Sequence, residues 1–171
     1  VGALPGKFGP FVAGNSSTTE IQAVGLIQQI KRYDKILEER TNTAKYIAKR
    51  LSVCDAIIPQ QFGTEDGTVP SFHLYLLQID PAKAGGSMQV LKKKLEEKSV
   101  TNIPHFGPLY YFDILKTYGY DAKAIAATCP VCEEVFYNRF THLPVYGLSM
   151  EQIDYMCDAV LESIAEMQRG E

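Results

Sequence analysis

Two cysteines three positions apart, Cys129 and Cys132, are the first residues of this chain that could do chemistry. The spacing suits a redox-active pair, because a thiol in the first turn of a helix has a lowered pKa. It also suits half of a zinc site, but the sequence has no second pair of ligands at a fitting distance. Thioredoxin-like pairs follow an early strand, whereas this pair lies late in the chain. The pattern favours two ordinary thiols at a helix start and leaves a redox role open.

Three histidines, His73, His105 and His142, could exchange a proton near neutral pH. His73 and His142 lie in or beside segments predicted to be strands, where a single histidine is usually structural. His105 differs, because the sequence IPHFGPLYY places it in a loop between two prolines and among aromatic residues. Such a loop suits the rim of a substrate cleft, with a rigid backbone and stacking surfaces. Packing in the core is the alternative, and spacing alone does not decide between the two.

The segment GNSST, residues 14–18, could bind an anion just before a helix. Its amide and hydroxyl groups would lie beside free backbone N–H groups and the positive end of the helix dipole. Thr19 and Gln22 have the spacing of a capping box, which predicts that the helix begins there. Plain capping by Thr19 explains the same residues, and the local features favour it. The sequence has no Gly-rich phosphate loop, paired carboxylates, Ser–His–Asp spacing or metal cluster.

Composition limits the partners that this chain can have. With 171 residues, 46% hydrophobic and 22% charged, it matches globular proteins and excludes disordered and collagen-like chains. A net charge of −3 without a basic stripe predicts no nucleic-acid partner. No apolar run approaches the ~20 residues of a membrane span, and the start lacks the pattern of a signal peptide, so no membrane partner is expected. Four scattered cysteines fit reduced thiols in a cytoplasmic protein.

One long helix is predicted from Thr19 to about Ser52, a stretch without proline whose apolar residues mostly recur at steps of three, four or seven. About 33 residues at 1.5 Å rise would span roughly 50 Å, more than the diameter of a domain of this size. We expect such a helix to run along a second domain or subunit. Residues 1–15 carry four glycines and two prolines and are predicted to be an irregular lead-in. The first residue is not Met, so we expect a piece of a longer protein.

Strands alternate with helices in the rest of the chain. We predict strands at residues 71–80, with burial on both faces, and at 100–103 and 140–146. These segments are few and short. The predicted fold class is therefore α/β or α+β, with a small, mostly antiparallel sheet, helices packed on one side, and the long helix in front.

Three further helices are predicted. In the first, Met88, Leu91 and Leu95 form the buried stripe, while residues 92–94 and 96–97 face water. Pro130 opens the second, which continues to about Asn138, because a proline in the first helical turn loses no hydrogen bond. The last begins at a capping box formed by residues 149 and 152.

Four segments occur in an order that resembles the C-terminal part of DegT/StrS-type sugar aminotransferases, which are pyridoxal phosphate enzymes of fold type I. They are AGNSSTTEIQAVGLIQQIKRYDKILEER (13–40), SFHLYLLQID (71–80), IPHFGPLYY (103–111) and PVCEEVFYNRFTHLPVYGLSMEQID (130–154). They are similar to the family's Asn-containing helix start, its Ser/Tyr-x-His strand, its His-Tyr-x-Pro-Leu-His segment and its closing Pro-x-Ala-Glu stretch. The chain departs from the pattern at Ala13, where the family has glycine, and at Ser17, where it has a basic residue.

The resemblance implies that residues 16–171 are the small C-terminal domain of such an enzyme. The family forms homodimers whose large domain holds pyridoxal phosphate on a Schiff-base lysine, which would lie outside this chain and leave the chain alone inactive. On the resemblance, Asn15 reaches the cofactor phosphate of the neighbouring subunit, with Ser17 beside it. His105, Tyr110 and His73 match positions near the sugar-nucleotide end of the cleft.

The activity that the resemblance implies is amination of a keto sugar carried on a nucleotide, with glutamate as the expected amino donor. A sugar dehydratase or a regulator of the same fold is an alternative, because the lysine that separates these roles is not in view. A stand-alone binding or dimerisation module is a second alternative. A thiol-redox module that uses Cys129 and Cys132 is a third. A chain cut from its parent would also expose an apolar interface and self-associate.

Overall fold

A 32-residue helix, α1 (Glu20–Leu51), is the first element of the computed structural model, which describes residues 17–103 and 107–170. It begins at the predicted capping box, in which the Thr19 hydroxyl accepts from the N–H of Gln22 and Gln22 Oε1 accepts from the N–H of Thr19. The chain divides into two units, Val1–Ile36 and Leu37–Glu171. The α1 residues of the first unit include exposed apolar side chains, whereas the second unit buries Ala44, Ile47 and Leu51.

The second unit contains a three-stranded antiparallel sheet, with its strands in the order β1 (Ile57–Ile58), β2 (Tyr75–Ile79) and β3 (Phe140–Leu143). Ile57 pairs with Ile79, and Tyr75 pairs with Leu143. Buried and half-buried side chains alternate along β2. The prediction of burial on both faces of this strand is therefore wrong, because an antiparallel sheet can leave one face partly open to solvent.

The strands are shorter than predicted. Residues 100–103 contribute a single antiparallel bridge, between Ile103 and His142, and no strand. The strand predicted at 140–146 ends at Leu143, because Pro144 has no N–H to donate to a neighbouring strand. The two-residue strand β1 had no signal in the sequence.

In the part of the chain that the structure describes, six helices follow α1, together with a 3-10 turn at Leu109–Tyr111 and a π-helical turn at Val135–Arg139. The helix predicted from Pro130 to about Asn138 ends early as an α-helix and continues as that π-helical turn. The last helix begins at the predicted capping box, where Ser149 and Gln152 bond each other's backbone N–H. The helices are α2 (Pro81–Ala84), α3 (Met88–Glu97), α4 (Asp113–Thr117), α5 (Ala122–Ala127), α6 (Pro130–Glu134) and α7 (Met150–Arg169).

The core of the second unit is formed by the sheet, α3, α7 and the last turns of α1. Its fully buried side chains include Leu77, Leu91, Leu143, Val160 and Ile164. Ion pairs fasten α3 to α7 at the edge of this core, because Lys94 and Lys98 each place Nζ 2.9 Å from the Glu166 carboxylate. None of the described helices has the length and apolarity needed to cross a membrane.

The stripe of α3 is wider than predicted. Met88, Leu91 and Leu95 are buried as expected, and Lys92, expected in water, is buried with them. Lys92 follows Met88 by four positions and therefore lies on the same face of the helix. The prediction that residues 92–94 all face water is wrong at this position.

Candidate functional site

The structure describes three of the five residues that were predicted to bind cofactor or substrate. Asn15 and His105 lie outside the described residues. Ser17 is exposed and precedes α1 by three positions, so it lies at the positive end of a long helix dipole. His73 and Tyr110 are described in full and lie in different surroundings.

His73 is exposed two positions before β2, and the residue that precedes it has an unusual backbone conformation. Phe72 has a φ of 45°, a left-handed conformation that a bulky side chain rarely adopts. Its ring is buried, with its centroid 5.2 Å from that of Phe62. The buried ring fixes this bend, and the bend presents His73 at the surface. Strained backbone of this kind often accompanies a functional site.

His73 and His142 line the same cavity, which has a volume of about 260 Å³. From the sequence, His142 was expected to have a structural role only. The antiparallel register explains the meeting, because Leu76 of β2 pairs with His142 of β3. The proximity of the two histidines could be predicted only if this register were known. The remaining lining residues are Gln60, Pro70, Ser71, Phe72, Leu74 and Leu76.

Ile103 connects this histidine cavity to the predicted substrate loop. Its N–H donates to the carbonyl oxygen of His142 at 2.9 Å, and the N–H of His142 donates back at 3.4 Å. The bridge places Ile103 directly beside β3. His105 follows Ile103 by two positions in sequence and lies outside the described residues, so its grouping with the cavity stays a prediction.

Tyr110 lies in the 3-10 turn and is buried, and its hydroxyl donates to the carboxylate of Glu133 in α6. The Tyr111 hydroxyl lies 3.4 Å from the other oxygen of the same carboxylate. Burial and the hydrogen bond to Glu133 raise the pKa of Tyr110, so it remains a neutral donor. This tyrosine–glutamate clamp joins the end of the predicted substrate loop to α6.

Glu133, which the sequence analysis did not single out, accepts the hydrogen bond of this clamp. It also lines an open cavity of about 540 Å³ beside α5 and α6, together with Glu134 and Tyr137. Hydrogen bonds from Asn138 and Arg139 lower the pKa of Glu134. The available signal was its position three residues after Pro130, in the first turns of a helix, but its partner lies 23 positions earlier in the chain.

Cys129 and Cys132 are both free thiols, the first half-buried and the second exposed. Cys129 precedes α6, and its side chain makes no capping hydrogen bond. Cys132 lies close enough to Tyr110 to contribute to the raised pKa of that phenol. A redox role for the pair stays a prediction. Within residues 17–103 and 107–170, no group of three potential ligands is placed to hold a metal ion.

Comparisons with known proteins agree on one family. The model of the DegT/DnrJ/EryC1/StrS aminotransferase family matches residues 6–161. The spore coat polysaccharide biosynthesis protein SpsC of Bacillus subtilis is 30% identical over 156 residues, which cover 88% of this chain and 37% of SpsC. The chain thus spans little more than a third of its curated relative.

Two solved structures share the fold. The PLP-form of Spr1654 from Streptococcus pneumoniae matches with a TM-score of 0.71 at 22% identity, over 87% of this chain and 36% of that protein. An aminotransferase from Psychrobacter cryohalolentis matches with a TM-score of 0.71 at 16% identity, over 98% of this chain and 45% of that protein. Because the family match covers most of the sequence, including both histidines of the cavity and the tyrosine–glutamate clamp, this chain belongs to the DegT/DnrJ/EryC1/StrS aminotransferase family.

Proposed function

We propose that this chain is the C-terminal domain of a pyridoxal phosphate-dependent aminotransferase that aminates a nucleotide-linked keto sugar. The family match over residues 6–161 carries the proposal. The name of SpsC, which refers to polysaccharide biosynthesis, supports a sugar as the substrate. The PLP-form of Spr1654 supports the cofactor. Glutamate is the proposed amino donor, and a homodimer is the proposed assembly.

The residues before α1 fit the phosphate of this cofactor. Ser17 and Thr18 are exposed at the N-terminus of a 32-residue helix, and the Thr19 hydroxyl is already engaged in capping. Hydroxyl groups and a helix dipole at this place favour an oxyanion. Asn15 and Ser17 would hold the phosphate that belongs to the neighbouring subunit. When bound, the cofactor supplies the electron sink that lets a proton move at the substrate carbon.

The lysine that holds the cofactor is expected in the large domain, outside these residues. The chain spans 37% of SpsC, which leaves room for such a domain in a protein of that length. This chain's own contribution is then to bind and orient the sugar nucleotide. The isolated chain is expected to be inactive.

His73 and His105 are the proposed substrate contacts. The cavity that holds His73 and His142 is large enough for a sugar-sized group but not for a whole nucleotide sugar. Tyr110 is assigned a positioning role, since its hydroxyl already donates to Glu133. The hydrogen bond to Glu133 fixes the position of Tyr110 and its neighbours. Tyr110 would therefore influence substrate binding by positioning the loop that contains His105.

Transfer of labelled nitrogen would test the proposal in the protein that the complete reading frame encodes. With ¹⁵N-glutamate and a panel of nucleotide-linked keto sugars, mass spectrometry should find the label in an amino sugar. His73→Ala should lower kcat/KM about tenfold through KM, because one hydrogen bond to the substrate is lost. Gln61→Ala, in the exposed loop nearby, is the matched control and should leave kcat/KM unchanged.

Absence of labelled product with every sugar and donor would contradict the proposal. Loss of water from the same sugars without nitrogen transfer would instead indicate a dehydratase. Binding of the sugars without any reaction would indicate a regulator or a binding module.

A further inference from the structure

A second cavity adjoins the histidine cavity and has a volume of about 400 Å³, within the range of small-molecule binding sites. The last turn of α1, strand β1, the loop that follows β1 and the first residue of β2 form its walls. We call it the α1–β1 cavity. All of its lining residues lie between positions 48 and 75, within the second unit. The described part of the chain therefore contains the whole of this wall.

The walls of the α1–β1 cavity are mostly apolar, and they include the aromatic rings of Phe62 and the buried Tyr75. Among the described lining residues, Asp55 is the one that carries a charge. Its side chain is 80% exposed, and its Oδ2 lies 3.3 Å from Nζ of Lys83, so this charge stays in water and has a partner. A charged ligand would lose its hydration in the cavity without gaining an opposite charge. The lining therefore favours an uncharged ligand.

One polar atom of the lining lacks a partner, namely Oε1 of Gln60. The Nε2 of this side chain donates to the carbonyl oxygen of Gln61 at 3.1 Å. The Oε1 is buried and, within residues 17–103 and 107–170, accepts no hydrogen bond. A buried acceptor without a donor costs free energy, and such groups are rare in folded proteins. A ligand with one N–H or O–H group would supply the missing donor.

The volume of the α1–β1 cavity sets the size of such a ligand. An apolar cavity of ~150 Å³ in another protein is large enough for benzene. The α1–β1 cavity is larger, and its two aromatic rings offer surfaces on which a planar ligand can stack. A molecule with two fused rings therefore suits the space.

We propose that the α1–β1 cavity binds a small, uncharged aromatic molecule that donates one hydrogen bond to Oε1 of Gln60. Indole has this chemistry, with two fused rings and one N–H group. The ligand would contact Phe62, whose ring packs against that of Phe72, the residue with positive φ before His73. The site thus lies beside the proposed substrate cavity without being part of it, and its assignment does not depend on the proposed function.

Protection of Cys54 from alkylation tests both the binding and its place. Cys54 lines the α1–β1 cavity and is a free, half-buried thiol, whereas Cys132 is free and exposed in α6. In the 171-residue chain, indole should slow the reaction of Cys54 with iodoacetamide several-fold and leave that of Cys132 unchanged, as followed by peptide mass spectrometry. The probe 1-methylindole, which has no N–H group, should bind about three- to tenfold more weakly, because one hydrogen bond is lost.

Two pairs of variants separate the hydrogen bond from the space. Gln60→Met keeps the length of the side chain and removes the acceptor, so it should bind indole and 1-methylindole equally. Gln61→Met, at the exposed neighbouring position, is the matched control and should keep the preference for indole.

Ala48→Leu should weaken the binding of both probes, because the larger side chain takes up part of the cavity. Ala124→Leu, at an exposed position of α5, is its control and should leave binding unchanged. Urea unfolding of each variant, without a probe, checks that the chain is folded. Because Gln60 also lines the histidine cavity, the Ala48 variant is the one that decides between the two cavities.

Four outcomes would overturn the proposal. Indole would give no saturable protection of Cys54 at any soluble concentration, or it would protect Cys132 equally. Gln60→Met would keep the preference for indole over 1-methylindole. A folded Ala48→Leu variant would bind indole as tightly as the wild type, which would place the ligand in another cavity. Nitrogen transfer is measured separately, so failure of the proposed function would leave this site unaffected.

Discussion

Two regions of the second unit are held together by different forces. The sheet, α3 and α7 bury a continuous set of aliphatic side chains, and removal of their surface from water stabilises them. Residues 107–139 form three short helices and two irregular turns, and α4, α5, α6 and the π-helical turn contain no buried residue. Pro108 and Tyr110 are the buried residues of this region.

In residues 107–139, side-chain hydrogen bonds to two adjacent carboxylates hold the segments together in place of buried apolar contacts. Glu133 accepts from Tyr110, and Glu134 accepts from Asn138 and Arg139. Several aromatic side chains remain exposed there, namely Tyr111, Phe112, Tyr118, Tyr120 and Tyr137. A region held in this way opens at lower free energy than a core and suits a surface that adapts to a ligand. The difference separates a scaffold from a candidate binding surface.

The largest difference between the two regions should appear on truncation of a leucine. Leu91→Ala in α3 should lower the free energy of unfolding by about 2–5 kcal/mol, because it leaves a cavity in a closed core. Leu109→Ala, at a position 67% exposed, should change it by less than about 0.5 kcal/mol. Urea denaturation of both variants measures the contrast. Equal losses would mean that the second region also has a core.

Two glycines give the next contrast, because both have positive φ but different space around them. Gly119 has a φ of 83° and open space around it. Gly119→Ala should therefore lower the free energy of unfolding by about 1 kcal/mol, from backbone strain alone. Gly85→Ala should lower the free energy of unfolding by about 1–3 kcal/mol more than Gly119→Ala does. The added Cβ would lie 2.7 Å from the carbonyl oxygen of Met167. Thermal and urea unfolding check the difference. An equal cost would show that α2 and α7 separate without penalty.

Removal of the tyrosine–glutamate clamp should have a smaller and local effect. Tyr110→Phe should lower the free energy of unfolding by about 1 kcal/mol or less, because it deletes one hydrogen bond. Amide hydrogen exchange should become faster in residues 107–134 and stay unchanged in α3 and α7. Tyr118→Phe, at an exposed position, is the control and should change neither. Faster exchange throughout the unit would show that the clamp supports the core as well.

The smallest effects should come from titration of one carboxylate at the edge of the core and of two groups inside it. Hydrogen bonds from Lys98 and Lys94 lower the pKa of Glu166 to about 2, so its contribution to stability is present above pH 4.5 and is lost as the pH falls toward 2. Burial raises the pKa of Tyr75 to about 12 and that of Cys157 to about 11, so the free energy of unfolding should fall as the pH rises above 9.

Urea midpoints measured from pH 2 to pH 11 check both limbs of this profile. Glu166→Gln should flatten the acid limb and leave the alkaline limb intact. An acid limb that is the same in this variant would assign the loss of stability to other carboxylates.

The parts of the fold that sequence predicted well depend on local interactions. Both capping boxes are correct, because Ser149 and Gln152 bond groups within one turn of each other. The Tyr110–Glu133 bond was missed, because it joins two residues that are 23 positions apart in sequence. Strand β1 was missed for the same reason, since only its pairing with β2 makes it a strand.

The sequence proposes residues for the candidate site, but it does not predict which of them lie together. The motif singled out His73, whose role in binding stays a prediction, but its proximity to His142 in one cavity required the register of β2 and β3. Residue type indicates which chemistry is possible, whereas long-range pairing decides which groups can act together.

Visible absorbance after addition of pyridoxal phosphate, followed by borohydride, tests the proposed function most directly. The protein from the complete reading frame should show one reducible band at one cofactor per chain, and the 171-residue chain alone should show none. The same band in the 171-residue chain would contradict the proposal that the cofactor lysine lies in another domain. The absence of a band from both proteins would contradict the assignment of a pyridoxal phosphate enzyme.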